Sequence, residues 1–253
     1  MNDLFRNLFA AMPLIASATV VTILSALLAG IIAMLLGIPA GFGRLSRAPL
    51  VRSISTFYVE TIRGTPLLLQ LLIWYYGVKI LLLVLFNFNF DTTVYNMLTA
   101  LNSNSLYPKD GNISGFFFAV VGLGFNYGAY IAEVIRAGIL AVDPGETEAA
   151  SSLGLSRFQT ARLVILPQAL RLMIPPLTNN LITLIQDTAF LQVVNVFDLS
   201  LRVQDSVLAV SSPSLRWAYY LVELGIYFVL CYGLALVAQR MERRSAHMLA
   251  GAH

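Results

Sequence analysis

Five apolar runs govern what this chain can fold into: residues 13–38, 53–86, 113–140, 170–196 and 214–239. Each exceeds the roughly 20 residues that a helix needs to cross a hydrocarbon core. In lipid every backbone N–H and C=O must find its partner within the protein, so runs of this length commit to helices. The balance of residues agrees, since 58% are hydrophobic and only 11% charged, about half the charge of a soluble domain. The expected fold is an all-α membrane protein with five transmembrane helices, one domain over residues 1–253.

The connectors carry the charge. Residues 1–12 place Leu4, Phe5, Leu8 and Phe9 on one side, as a short interfacial helix would. Only Arg6 precedes the first run, Asp3 offsets it, and the run outlasts a signal core, so a retained span is expected. Residues 87–112 are polar, with Asp91, Lys109, Asp110 and turn signals at Tyr107-Pro108 and Asp110-Gly111. Residues 197–213 form a polar linker with room for a short helix. The tail after Gln239 is polar, then weakly patterned, and is expected to be loose. One side of the membrane receives Arg44, Arg47, Arg52, Arg136, Arg157, Arg162, Arg171, Arg240, Arg243 and Arg244. The other receives Arg6, Lys79, Lys109, Arg202 and Arg216. The positive-inside rule makes the first side cytoplasmic, which puts the N-terminus outside and the C-terminus in the cytoplasm.

Several chemistries are excluded. Lys79 follows Val78 and Lys109 follows Pro108, so there is no Gly-Lys-Ser/Thr phosphate loop. The histidines, His247 and His253, lie in the tail, so no catalytic triad or Cys/His metal cluster can assemble within the spans. Asp187 is the one aspartate placed in a span, which rules out an aspartyl dyad. Cys231 sits alone in an apolar run and reads as a packing residue. No basic block interleaved with aromatics suggests a nucleic-acid face. The chain is expected to be non-catalytic and to hold no metal or cofactor itself.

The longest polar stretch outside the loops, residues 143–167, reads as two short helices at an angle. Asp143 can cap the first, with Pro144 at its first position and Glu146 completing a capping box. Gly154 can end it in a left-handed conformation. Ser156 can cap the second with Gln159 as box partner, and Pro167 bars easy continuation. Such a knob suits contact with a soluble protein.

The same residues carry a resemblance. Glu148-Ala149-Ala150, Gly154 and Leu166-Pro167 follow the pattern E-A-A-x3-G-x9-I-x-L-P, with Val164 in the isoleucine position. This resembles the EAA loop in permease subunits of bacterial ABC importers. Residues 60–70 (ETIRGTPLLLQ) and 126–139 (NYGAYIAEVIRAGI) look like the polar amino-acid branch of those permeases. The resemblance implies that Glu148, Ala149, Ala150, Gly154, Leu155, Arg157 and Pro167 dock onto a cytoplasmic ABC ATPase subunit, which would carry ATP and Mg. It also implies a second permease subunit, identical or related, an extracytoplasmic amino-acid-binding protein, and a place in the bacterial inner membrane. Members of the branch often carry Lys-Asp-Thr-Ser-Leu where this chain has Gln186-Asp187-Thr188-Ala189-Phe190. One positive charge is missing, so the identity of the amino acid does not carry over.

Polar residues inside spans are costly in lipid and usually face a cavity or a partner helix. In the second run, Glu60, Arg63, Leu67, Gln70 and Trp74 share a helical face, and Glu60 can pair with Arg63. Pro66 and Gly64 favour a kink there, which places Thr65 and Gln70 at a cavity. In the third run, Asn126, Tyr130 and Glu133 share a face, with Gly128, Ala129 and Ala132 permitting close helix approach. Glu133 either faces the pathway or pairs with Arg136. In the fourth run, Asn179, Asn180, Thr183, Gln186 and Asp187 form a stripe too polar for lipid. It lines a pathway, a seam between two copies, or both. The candidate pathway is Thr65, Gln70, Asn126, Tyr130, Glu133, Asn179, Thr183, Gln186 and Asp187. The expected function is a permease subunit of an ATP-driven importer for polar amino acids. An ion-coupled secondary transporter using Glu133 and Asp187 is the alternative; few spans and no inverted repeat weigh against it. A non-transporting scaffold would not need the polar stripes.

Overall fold

The placement of proline and glycine decides where the apolar runs become helices. The computed structural model describes residues 2–93 and 112–250, and every regular element among them is helical. The turn signals at Tyr107-Pro108 and Asp110-Gly111, with Lys109, lie outside the described residues, as does His253. The first run belongs to α1 (Asn2–Arg44), one helix of 43 residues and about 65 Å at 1.5 Å per residue. No separate interfacial helix forms over residues 1–12. Leu8 and Ala11 pack against a cluster of Ile15, Leu199, Val203, Val207, Leu215 and Tyr219, and this burial holds the start of the helix in line with the span.

The second run is cut rather than kinked. Helix α2 (Pro49–Arg63) is capped by Gly64, and α3 (Leu67–Leu72) restarts after Pro66. A π-helical stretch, Ile73–Val78, joins α3 to α4 (Lys79–Phe86). Pro66 offers no N–H and disfavours the α region for Thr65, and here the helix breaks rather than bends. Glu60 and Arg63 therefore end up on a different helix from Leu67 and Gln70.

Helix α5 (Ile113–Leu140) coincides with the third run. The polar stretch gives α6 (Pro144–Ser152) and α7 (Arg157–Thr160), then a π turn, Ala161–Ile165, that leads into α8 (Leu166–Asp187). The fourth run thus starts before residue 170 and carries Pro175 and Pro176 inside the helix. It ends as a helix at Asp187, passing into a 3-10 turn, Thr188–Val194, closed by left-handed Asn195. Helix α9 (Leu199–Leu208) is the short helix of the linker. Helix α10 (Pro213–Ala250) runs on through the tail expected to be loose, because no Gly or Pro interrupts that tail before Gly251. Among the described residues, four stretches are long and apolar enough to cross a membrane: Arg6–Arg44, Leu67–Phe86, Ile113–Leu140 and Pro213–Arg240. Helix α8 is not among them, since its Asn, Thr, Gln and Asp residues dilute its apolar content.

The chain divides into two compact units. Met1–Ile32, Thr65–Asn126 and Leu184–Leu230 make the first. Besides the cluster around Ile15, it buries Leu71, Ala119, Leu191, Val194 and Val196 together. Thr22 Oγ1 accepts from Leu199 N at 3.0 Å, and Asn112 Nδ2 donates to Tyr75 OH at 2.9 Å and Val194 O at 3.1 Å. Asp198 caps α9 by accepting from Leu201 N at 3.0 Å; it is fully buried, and its other oxygen has no partner. Burial pushes its carboxyl up to about 7, against backbone hydrogen bonds from Leu201 and Ser200 that pull it down.

Ala33–Gly64, Tyr127–Thr183 and Cys231–His253 make the second unit. Val59, Ala129 and Ala132 are fully buried there, packed by Ala40, Tyr58 and Ile62. Small residues permit this approach. A Cβ on Gly128 would lie 2.6 Å from Tyr58 Oη, and one on Gly37 would lie 2.7 Å from the Gly128 carbonyl oxygen. Lipid tails are as apolar as leucine, so close van der Waals contact of this kind is what holds such helices together.

Candidate functional site

The knob is built by its caps. Asp143 accepts from Gly145 N at 2.8 Å. The capping box expected with Glu146 is not made: the Asp143 side chain accepts one position earlier, from Gly145 N rather than Glu146 N. Helix α6 then closes with Gly154 at φ +77°. Leu155 N donates to Ala150 O at 3.1 Å and Gly154 N to Ser151 O at 3.0 Å, the paired bonds of a Schellman turn. The Ser156–Gln159 box does form: Gln159 Oε1 accepts from Ser156 N at 2.9 Å and Ser156 Oγ from Gln159 N at 3.4 Å. Ala150 is buried, while Glu148, Ala149, Arg157 and Pro167 are exposed and Leu155 is half-buried. Leu153 and Phe158, 81% and 72% exposed, flank the turn. The result is a rigid corner that offers two large apolar side chains among charges, which is the chemistry of a protein-docking surface.

A second cluster lies in the same unit. Arg44, in the last turn of α1, donates to Glu133 of α5, and at 2.7 Å to Glu60 of α2. Arg136 holds the same Glu133 through bonds of 2.6 and 3.2 Å. Arg63 comes only to 3.7 Å from Glu133 Oε2 and lies over the Tyr130 ring at 5.5 Å. The expected Glu60–Arg63 pair does not form; Arg44 reaches Glu60 instead, and Arg63 turns to Tyr130 and Glu133. Of the two readings of Glu133, the pair with Arg136 is present. Beside this cluster is a cavity of about 470 Å³, lined by Arg63, Tyr130, Glu133, Leu172, Pro176 and Asn180 together with small apolar residues of α5. The Nδ2 of Asn180 is buried and has no partner.

The other expected pathway residues fall into separate groups. Thr65, Gln70 and Asn126, in the first unit, form a bonded set. Gln70 Nε2 donates to Thr65 O at 3.1 Å and Oγ1 at 2.8 Å, and Asn126 Nδ2 donates to Gln70 Oε1 at 3.0 Å. Gln186 is exposed and Asp187 half-buried at the end of α8. Asn179 and Thr183 are exposed, and Thr183 Oγ1 donates back to Asn179 O at 3.0 Å. The cavity thus gathers Tyr130 and Glu133 from the expected set and adds Arg63, Leu172 and Asn180. Arg44 was the hardest to foresee, because the first run ends before it and its position reads as loop.

A family profile described as "Binding-protein-dependent transport system inner membrane component" matches residues 33–247. The chain is 33% identical over 232 residues to the L-cystine transport system permease protein TcyB of Bacillus subtilis (strain 168), covering 92% of this chain and 86% of that protein. It is 31% identical over 234 residues to the glutamine transport system permease protein GlnP of Escherichia coli (strain K12), covering 92% and 94%. Among solved structures, a chain from the crystal structure of an amino acid ABC transporter with histidines matches at TM-score 0.76 and 32% identity, covering 95% of this chain and 98% of that one.

Proposed function

The chain belongs to the family of binding-protein-dependent transport system inner membrane components, and from that premise we propose how it works. It is a multi-pass inner-membrane permease subunit of an ABC importer, and its substrates are polar amino acids. The relatives named for L-cystine and glutamine support that substrate class. Five helices cross the bilayer, α8 being the fifth. Its polar face avoids lipid by lining the pathway or meeting a second permease subunit. The arginine asymmetry supports a periplasmic N-terminus and a cytoplasmic C-terminus.

The observation that carries the reading is the knob. A Schellman turn at Gly154 and a capping box at Ser156 fix the angle between two short helices, and Leu153 and Phe158 stand exposed at the corner. An isolated solvated loop has no need of that rigidity. A knob that transmits force from an ATPase does, so Glu148, Ala149, Ala150, Gly154, Leu155, Arg157 and Pro167 are the coupling residues. ATP and Mg sit on the partner, and hydrolysis occurs there. An extracytoplasmic binding protein delivers the amino acid. An ion-coupled carrier would need Glu133 free to take up a proton or sodium ion, and its bonds to Arg44 and Arg136 weigh against that.

The test is co-purification. Solubilised in mild detergent with a tag on this chain, the complex should contain a Walker-motif ATPase in fixed ratio, and the ATPase should dissociate when Leu153 and Phe158 are both changed to Asp. Recovery of the chain as a transporting unit without any nucleotide-binding subunit would dispose of the reading.

A further inference from the structure

The second unit holds another cavity, of about 480 Å³, whose wall comes from three parts of the chain. Phe42 and Leu45 come from the end of α1 and the turn after it, and Ile139 from the end of α5. Phe158, Ala161, Arg162 and Leu166 follow one another along a single face of the run from α7 into α8. Apart from Arg162 the wall is apolar. Phe42, Ile139 and Leu166 each lie within about one helical turn of the end of an apolar run. They are the ends that the arginine asymmetry assigns to the cytoplasmic side, so the cavity sits where the inner leaflet meets water.

Two observations bear on what fills it. The first is continuity. Leu35, Ile38 and Phe42 are exposed at helical spacing along α1, and so are Leu166 and Leu170 along α8. The cavity is therefore the foot of an apolar surface that continues into two of the apolar runs. An occupant has to suit hydrocarbon at one end and water at the other. The second observation is charge. Arg162 is exposed and makes no ion pair or side-chain hydrogen bond among the described residues. The same holds for Arg47, two residues beyond Leu45, and for Arg157, one before Phe158. No acid occurs between Arg44 and Arg52, or between Arg157 and Gln186. An arginine can lay its methylene stem along an apolar wall and keep its guanidinium in water, where its fork matches a phosphate. Uncompensated cations at the inner face of a membrane attract anionic lipid.

We propose that this cavity holds an anionic phospholipid of the cytoplasmic leaflet, with one acyl chain in the apolar groove and the headgroup phosphate on Arg162. Arg47 and Arg157 add to the local positive field. The proposal goes beyond the permease reading and takes from it only the leaflet. A volume of about 480 Å³ is within the range of ligand sites. It takes one chain, and the second lies along the exposed apolar surface of α1 and α8. The seated chain packs between the base of the knob and the ends of α1 and α5. The membrane itself then braces the element that meets the ATPase.

The experiment uses the full permease–ATPase complex in nanodiscs of phosphatidylethanolamine. A trace of phosphatidylglycerol with a diazirine near the glycerol end of one acyl chain is added, or the same amount of the matching phosphatidylcholine. After illumination, mass spectrometry quantifies labelled peptides containing Phe42, Ile139 or Ala161, against labelled peptides of α10 as the ordinary lipid-facing surface. The wild-type groove should be labelled about fivefold more by the glycerol lipid than by the choline lipid, the worth of one basic residue at an anionic surface. Arg162→Gln should bring the two lipids to within about twofold while both still label the groove. Ala161→Trp should fill the groove and cut its labelling by both lipids to background, with α10 unchanged. Ala161 and Arg162 are exposed, so neither change disturbs the packing of the chain. Equal wild-type labelling by the two lipids, or undiminished labelling in Ala161→Trp, would overturn the proposal. Groove labelling that appears only after the ATPase has been stripped would make the ATPase the occupant and overturn it as well. None of these readouts depends on transport, so they stand apart from the test of the permease reading.

Discussion

Gly154 allows a graded test of the knob. Its φ of +77° is left-handed, and a Cβ built there meets no atom within 4 Å. A substitution therefore costs backbone strain and nothing steric. For an ordinary L-residue that strain is about 1–2 kcal/mol. Asparagine tolerates the conformation better, and β-branched valine tolerates it worst. A cost of about 1.4 kcal/mol shifts a two-state equilibrium tenfold. The alternative to the native turn is loss of the Leu155–Ala150 and Gly154–Ser151 backbone bonds, which would leave α6 misaimed toward its partner. The expected series is Asn mildest, Ala intermediate and Val most severe, read as amino acid transported per ATP hydrolysed in proteoliposomes with matched complex content. Insertion and yield should stay close to wild type, because the knob is exposed. Equal coupling in the Asn and Val variants, or full coupling in both, would refute the argument that backbone strain at this corner governs transmission.

Gly128→Val places methyl groups where a Cβ alone already lies 2.6 Å from Tyr58 Oη, so overpacking of about 1–3 kcal/mol should lower the thermal midpoint in detergent; an unchanged midpoint would contradict the packing. Asp198 is an acid raised by burial, its folded carboxyl at about 7. Below the unfolded value near 3.9 both states are protonated, and as pH rises toward 7 only the unfolded state ionises, so stability falls by up to about 4 kcal/mol over that window. Asp198→Asn keeps a capping oxygen for Leu201 N and should flatten the decline in melting temperature between pH 5 and 7; parallel profiles would show that Asp198 is not the group. Ser103→Cys and Ser151→Cys in a Cys231→Ala background should label from outside and from inside respectively, and outside labelling of both would reject the proposed orientation.

The knob was legible because its information is local. Ser156 and Gln159 form the box their spacing announces, and Gly154 is left-handed where the turn demands it. The small-residue contact was legible too, since Gly128, Ala129 and Ala132 could serve little else in a span. What failed was of another kind. Whether Pro66 kinks or cuts a helix depends on what packs against the two halves, which spacing does not report. The Glu60–Arg63 pair looked available on one helix, yet Arg44 of α1 takes Glu60, a contact between residues far apart in the chain. The capping box at Asp143 failed by one residue, because an aspartate side chain can reach Gly145 N as readily as Glu146 N. Cavity chemistry was the least visible, since Asn180 looked like one more amide in a stripe until its neighbours left its donor unpaired.

The central claim is that this chain moves amino acids only when an ATPase drives it through the knob. The direct measurement is uptake of labelled L-glutamine, L-cystine and other polar amino acids into proteoliposomes holding the chain, its ATPase and its binding protein. ATP should be supplied on the ATPase side and ion gradients collapsed. Uptake of at least one amino acid that needs all three proteins and stops when ATP is withheld is the predicted result. Uptake that persists without ATP or ATPase and follows a proton or sodium gradient would contradict it.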